Sequence, residues 1–471
     1  MRNTKIYSIL EEFDKYEQNR CRKFLQSPYF NRDQSIVDLF DLLVSSINAK
    51  STEELEKEKI WKKLKKDAPY DDVRFRKYFS DLLKLIQDYL SQQVYEDKPV
   101  SKAIHFMEAV GKRKLERLQA ESTRNVTRLS QQVILRSSEF YLDQYLFEKN
   151  YYELNKHDRT SKTNIESINE NLDSFYISEK LRYYCLVLGQ QKVASHAYHV
   201  SFINEIIEFV KNNNYDKVPS IAVYYQILLV ENDGENSEHY FKLKQLLEKN
   251  GLKFPREEAE SMYGFAFNYC VSKINKGEQI YQNELFDIYK DQIEKGIIIV
   301  DGELSPWDFR NITTIALRLG EYNWVESFIK DFQHFLPDAF RQNAVNYNLA
   351  QIYFYQKRYD DVKKLLQEVE FEDFTYNLGS KSMLLAIYYE TDEIEPLYSL
   401  FESFRTYLNR HKDIPQSRRQ NYANLIKFTK KLAKALPNDK KSVEKLRQEL
   451  ESTKNVASYA WLIEKITELE S

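Results

Sequence analysis

Apolar residues recur along this 471-residue chain at three- and four-residue intervals, the spacing of one face of an α-helix. Ile6, Ile9, Leu10 and Phe13 form the first such stripe, and Ile36, Leu39, Phe40, Leu43 and Ile47 the second. Ser27-Pro28-Tyr29-Phe30-Asn31 divides them, because proline disfavours helical geometry at Ser27 and Asn31 is suited to cap the second helix. Ser51-Thr52-Glu53-Glu54 before Leu55 opens a further helix. Asp71-Asp72 opens the next, with Phe75, Phe79, Leu82, Leu83, Ile86 and Leu90 on one side. Residues 1–95 therefore read as a small bundle of about four helices.

Lys98-Pro99 marks a boundary. Residues 96–155 read as one or two long connector helices, with Val133, Leu135, Phe140, Leu142, Tyr145 and Phe147 among the apolar positions. The polar stretch 156–163 reads as a linker. Helix pairs then alternate over 165–412, beginning with the aromatic-rich segments 175–188 and 202–210 on either side of a turn containing Gly189. The rhythm continues through 223–247 and 263–293, where the turns are irregular. After Pro415 three helices fit within 413–471. The last carries Trp461, Leu462 and Ile466 among Glu464, Lys465 and Glu468, the pattern of a cap with a polar outer face.

Self-similarity is sharpest over 305–404. Gly320-Glu321-Tyr322 precedes Val325, Ile329, Phe332 and Pro337; Lys357-Arg358-Tyr359 precedes Val362, Leu366 and Val369; and Leu384, Leu385 and Tyr388 precede Ile394, Leu397, Phe401 and Phe404. Val325, Val362 and Leu397 stand 37 and 35 residues apart. This order of turn, tyrosine and inward apolar positions, at close to a 34-residue period, resembles the tetratricopeptide repeat. The resemblance covers 305–404 and is degenerate over 165–300; residues 1–95 show none. It implies an all-α fold: a right-handed helix-hairpin solenoid preceded by the N-terminal bundle.

The resemblance further implies a concave face built from the first helix of each pair. Its groove positions fall on Trp307, Arg310, Thr314 and Arg318, then on Tyr347, Asn348, Gln351 and Tyr355. Arg310 and Asn348 match positions that help family members grip a peptide's terminal carboxylate. The third repeat departs from that pattern, placing Gly379 and Met383 where basic residues would be wanted.

Composition agrees with helices. Ten glycines and ten prolines are too few for the turns of a many-stranded sheet, while 35 tyrosines and 28 phenylalanines supply large bodies for packing between helices. The formal charge of −3 provides no global field toward nucleic acid or an anionic membrane. Local basic clusters occur at Lys62, Lys63, Lys65 and Lys66, and at Lys112, Arg113, Lys114, Arg117, Arg124 and Arg128. A third, at Lys427, Lys430, Lys431 and Lys434, lies along one helical stripe suited to an acidic partner or phosphates. Cys21, Cys185 and Cys270 are odd in number and widely spaced, which fits a reducing cytoplasm better than a disulfide framework. Residues 1–16 lack the apolar core of a secretory signal, and no stretch has the length of a membrane span.

Motifs for chemistry are sparse. His196 and His199, three apart, have metal-ligand spacing but no third ligand nearby, and the acids of 368–373 read as a solvated face. Phosphate loops, dinucleotide fingerprints and nucleophile elbows are missing, so no cofactor, metal or catalytic residue is assigned. The leading expectation is a cytoplasmic, non-enzymatic scaffold or adaptor whose groove holds a protein or peptide. Two alternatives stay open: a peptide-responsive regulator with a nucleic-acid-binding N-terminal bundle in which Arg74, Arg76 and Lys77 border a helix, and an enzyme with an unrecognised site.

Overall fold

The computed structural model describes residues 4–49, 56–65, 68–156, 163–191, 198–213, 215–367, 374–435 and 439–470. Within them the chain is all-α, with 23 α-helices, two short 3-10 turns and one two-stranded hairpin. Contacts divide it into two compact units, Met1–Lys180 and Leu181–Ser471. Among the described residues no helix is long and apolar enough to cross a membrane.

The first unit begins with α1 (Lys5–Glu12), α2 (Lys15–Leu25), α3 (Gln34–Asn48), α4 (Lys57–Leu64) and α5 (Asp72–Glu96). The stripes read from the sequence meet here: Leu10, Leu39, Phe40, Phe75, Leu82 and Ile86 are buried together with Leu25, Trp61 and Tyr89. Five helices form where about four are expected. Asp14 accepts a hydrogen bond from the Glu17 amide at 2.7 Å and so starts α2 directly after α1 ends. Asp71 caps α5 through the Val73 and Arg74 amides. Before α3 the cap is Asp33, bonded to the Ser35 amide, whereas the Asn31 amide group donates to the Leu25 and Asp33 carbonyls. The helix start expected at 51–55 lies outside the described residues.

Three helices, rather than one or two, come after Lys98: α6 (Pro99–Lys112), α7 (Glu116–Gln132) and α8 (Ser138–Asn155). Lys114 ends α6 in the left-handed region (φ 56°), and Val100, Ala103, Ile104, Met107 and Val126 bury between α6 and α7. Residues 157–162 of the expected linker lie outside the described residues. The helix α9 (Ile165–Gln191) then crosses from one unit into the other. It continues through Gly189, where a turn is expected from sequence. One interior glycine costs a helix only about 1 kcal/mol, which does not end it.

In the second unit α10 (Ile203–Asn212) precedes the pairs α11 (Pro219–Asn232) with α12 (Ser237–Asn250) and α13 (Arg256–Asn275) with α14 (Ile280–Glu294). A short hairpin, β1 (Ile299–Val300) and β2 (Glu303–Leu304), comes next. Its two-residue turn is Asp301-Gly302, both at positive φ, as such turns require. Beyond it lie α15 (Pro306–Arg318) with α16 (Tyr322–Phe332), α17 (Asp338–Tyr355) with α18 (Tyr359–Gln367), and α19 (Phe374–Glu390) with α20 (Ile394–Arg410). Between pairs, α11 packs on α13, α15 on α17, and α17 on α19. The unit ends with α21 (Gln416–Leu432), α22 (Lys440–Ser452) and α23 (Tyr459–Glu470). One core, containing Leu385, Leu397, Phe401, Phe404, Leu425, Phe428, Leu450 and Leu462, runs from α19 to α23 without a break at residue 413.

Three pairs turn in the same way. Gly320, Lys357 and Asp392 adopt φ of 79°, 59° and 54°, and the following amide reaches back five residues. These bonds run from Glu321 to the Ala316 carbonyl (3.0 Å), from Arg358 to Tyr353 (2.8 Å) and from Glu393 to Tyr388 (2.9 Å). Of these three only the first uses glycine, as does the like turn between α13 and α14, where Gly277 (φ 95°) precedes a Glu278 amide that donates to the Lys273 carbonyl at 3.1 Å. A side chain in this region is strained, so Lys357→Gly is expected to raise stability by about 0.5–1 kcal/mol, and Gly320→Ala to lower it by a similar amount. Urea unfolding of both variants checks this; a less stable Lys357→Gly protein would contradict it.

Candidate functional site

Helical residues four apart lie on one face, so three of them make a row along the axis. Arg310, Thr314 and Arg318 form such a row on α15, and Tyr347, Gln351 and Tyr355 form another on α17. The two rows line a cleft of about 520 Å³, a size suited to a ligand or an anchoring side chain. Its third wall is α19, through Thr375, Gly379, Ser382, Met383 and Ala386. Arg418, Asn421 and Tyr422 of α21, with Ala457, Ser458 and Trp461 at the start of α23, complete it.

Packing fixes the rows against each other. Thr314 Oγ1 lies 2.8 Å from the Arg310 carbonyl oxygen and 3.3 Å from Gln351 Oε1, which joins α15 to α17. Tyr347 and Tyr376 meet edge to face with centroids 4.9 Å apart, and the Arg310 guanidinium stands 5.7 Å from each ring. Tyr376 in turn donates its hydroxyl to the Pro306 carbonyl at 2.9 Å, holding the start of α15. Tyr347 has room only because Gly379 faces it: a β-carbon there would overlap the phenol hydroxyl and stand 2.9 Å from Cζ. Between α21 and the start of α23, the Ala457 amide donates to the Asn421 carbonyl and Asn424 Nδ2 to the Asn455 carbonyl, both at 3.1 Å. Trp461 Nε1 donates to Glu390 at 2.8 Å, which fixes the indole edge.

The lining carries three guanidiniums and no carboxylate. Burial pushes the Tyr422 phenol up, against the opposing pull of Arg310 and Arg418. Burial likewise raises Tyr355, against the charge and hydrogen bond of Arg318. Each phenol therefore stays neutral at physiological pH and available as a hydrogen-bond donor or acceptor. The carboxylate most displaced upward, Asp308, is pushed to about 6 by burial and by the Glu260 charge, and it lies outside the lining.

Six of the eight groove positions expected from sequence thus come together. Trp307 does not join them: it is largely exposed near the start of α15. Asn348 is fully buried, its amide donating to the Ala344 carbonyl at 2.7 Å while Oδ1 has no partner. One residue past Tyr347, it is turned about 100° away from the cleft and into the helix packing. Arg418, Tyr422 and Trp461 are not among the positions that sequence spacing assigns to the groove. They reach it from helices far along the chain, which local periodicity does not place.

Only three residues of the expected lysine stripe lie on α21, because the helix ends at Leu432 and Lys434 falls in the turn beyond it. Lys427 and Lys431 pair with Glu449 and Lys430 with Glu402, leaving Lys434 exposed. Along α6 and α7, Lys112 pairs with Glu108, whereas Arg113, Lys114, Arg117, Arg124 and Arg128 are exposed with no ion pair among the described residues. His196 and the acids of 368–373 lie outside the described residues, and His199 is exposed in a non-helical stretch. Among the described residues no group of three or more His, Cys, Asp or Glu is placed to hold a metal ion. All three cysteines are free and buried, and burial pushes the Cys21 and Cys270 thiols up to about 12. Comparison of the chain with protein-family models, curated proteins and solved structures finds no match.

Proposed function

We propose that the protein is a non-enzymatic binding scaffold of the tetratricopeptide-like, right-handed solenoid kind, and that the cleft of α15, α17, α19 and α21 receives a segment of a protein or peptide partner. One observation carries this reading. Alternate helices of successive pairs present their residues to one shared cleft, while α16, α18 and α20 contribute none of its lining. The repeated left-handed turns at Gly320, Lys357 and Asp392 support the same repeat, being 37 and 35 residues apart. The lining offers aromatic faces, amides and hydroxyls for recognition, without the histidine, cysteine or carboxylate that general acid–base or nucleophilic chemistry commonly uses. Free, buried cysteines suit a cytoplasmic setting.

Affinity capture from the native host, comparing the intact chain with an Arg310→Ala/Tyr347→Ala/Gln351→Ala variant, tests the assignment. Purified partners are expected to lose at least tenfold in affinity for the variant at matched secondary structure content. An unchanged set of partners with unchanged affinities would remove the cleft from the function.

A further inference from the structure

A guanidinium withdrawn from water is unfavourable unless anionic or accepting groups complete it. Arg310 is half-buried between two tyrosine rings, and its Nε is closed off from solvent with no hydrogen-bond partner. Among the described residues neither Arg310 nor Arg418 has an ion pair, although 30% of the chain is charged. Both line the same cleft as Tyr422. Arg318 stands two helical turns from Arg310, roughly 12 Å along α15.

The charge to be balanced selects the ligand. A single carboxylate brings one negative charge and two oxygens. A phosphoryl ester brings about −1.5 to −2 at neutral pH and three oxygens, which match planar guanidinium forks approaching from two sides. Tyr422 and Trp461, both partly exposed, line the same cleft and supply a surface for the carbon body that carries the phosphoryl group.

We propose that the cleft seats a phosphorylated side chain of the partner, with the phosphoryl oxygens held between Arg310 and Arg418. This rests on the reading of the cleft as a partner site. Calorimetric titration of the full chain tests it, using blocked seven-residue alanine peptides whose central residue is phosphotyrosine, phosphoserine, glutamate or tyrosine, with inorganic phosphate as a further probe. One or both phosphopeptides are expected to bind at least tenfold more tightly than the glutamate and tyrosine peptides. Comparison of the two assigns the carrier, and tighter binding than inorganic phosphate shows that the side chain is read as well as the anion. Arg310→Gln and, separately, the exposed-site variant Arg418→Gln are each expected to weaken phosphopeptide binding at least tenfold, whereas Lys330→Gln on α16, outside the lining, leaves it unchanged.

Equal affinity for the glutamate peptide, absence of phosphopeptide binding, or full affinity in Arg418→Gln would overturn the proposal. A captured partner that needs the cleft but carries no phosphate would sink this inference and leave the scaffold reading intact. Phosphopeptide binding that needs both arginines, with capture indifferent to the triple variant, would sink the scaffold reading alone.

Discussion

Replacing Glu390 by alanine is expected to cost about 3 kcal/mol of stability at pH 7, because one carboxylate completes three partners. Its side chain is 14% exposed; it accepts from Trp461 Nε1 at 2.8 Å and from the Tyr359 hydroxyl, and it faces Lys465 Nζ at 3.4 Å. Lys465 is only 6% exposed, and after the substitution it keeps just Glu464 and Glu468, whose side chains are 57% exposed and screened by water. Burial pushes the Glu390 carboxyl up, but the bonds from Tyr359 and Trp461 and the charge of Lys465 outweigh it and hold it below the usual carboxylate range. A depressed carboxyl stabilises the fold above its unfolded value, near 4.3, and that contribution fades as pH falls through the lower folded value. Urea unfolding of the parent and Glu390→Ala at pH 7 and at pH 3.5 checks both parts. The gap is expected to narrow at the lower pH; a gap of the same size at both, or a loss below about 1 kcal/mol at pH 7, would contradict the account.

Gly379→Ala is expected to destabilise the second unit by about 1–3 kcal/mol, reversing the usual preference for alanine inside a helix. The added carbon overlaps the Tyr347 hydroxyl, and Tyr347, 2% exposed and wedged against Tyr376, has nowhere to move without separating α17 from α19. Arg310, whose guanidinium leans on both rings, is expected to shift with them. Thermal unfolding of Gly379→Ala beside Gly379→Ala/Tyr347→Phe separates the steric cause from others, since removing the hydroxyl is expected to restore part of the loss. A Gly379→Ala protein as stable as the parent would show that the two helices tolerate the change.

Class and element order are readable because helices advertise themselves through spacing and because so little glycine and proline leaves few other architectures. The rows at Arg310, Thr314 and Arg318 and at Tyr347, Gln351 and Tyr355 are readable for the same reason: each belongs to one helix. The features that escape depend on information outside that spacing. Asp14 divides the segment before Ser27 into two helices with a single cap, and a polar residue within a periodic segment gives little warning of such a break. The Asp301-Gly302 pair is a legible hairpin signal that the surrounding helical pattern obscures. Lys357 and Asp392 occupy a backbone region usually marked by glycine, so only the order of their neighbours reveals them. Asn348 is expected in the groove from the repeat spacing, yet a rotation of about 100° between adjacent helical residues separates the cleft from the packed interior. Arg418, Tyr422 and Trp461 come from helices that meet the cleft only after the chain has folded back.

That return has a thermodynamic consequence. The Trp461 indole that lines the cleft is also the fastening point of α23, through its bond to Glu390. Any guest that leans on the ring must therefore slow the fraying of this final helix, and fraying must in turn loosen the guest, by the same free energy in both directions. Protection of the α23 amides from hydrogen exchange thereby becomes a gauge of occupancy that requires no label on the guest.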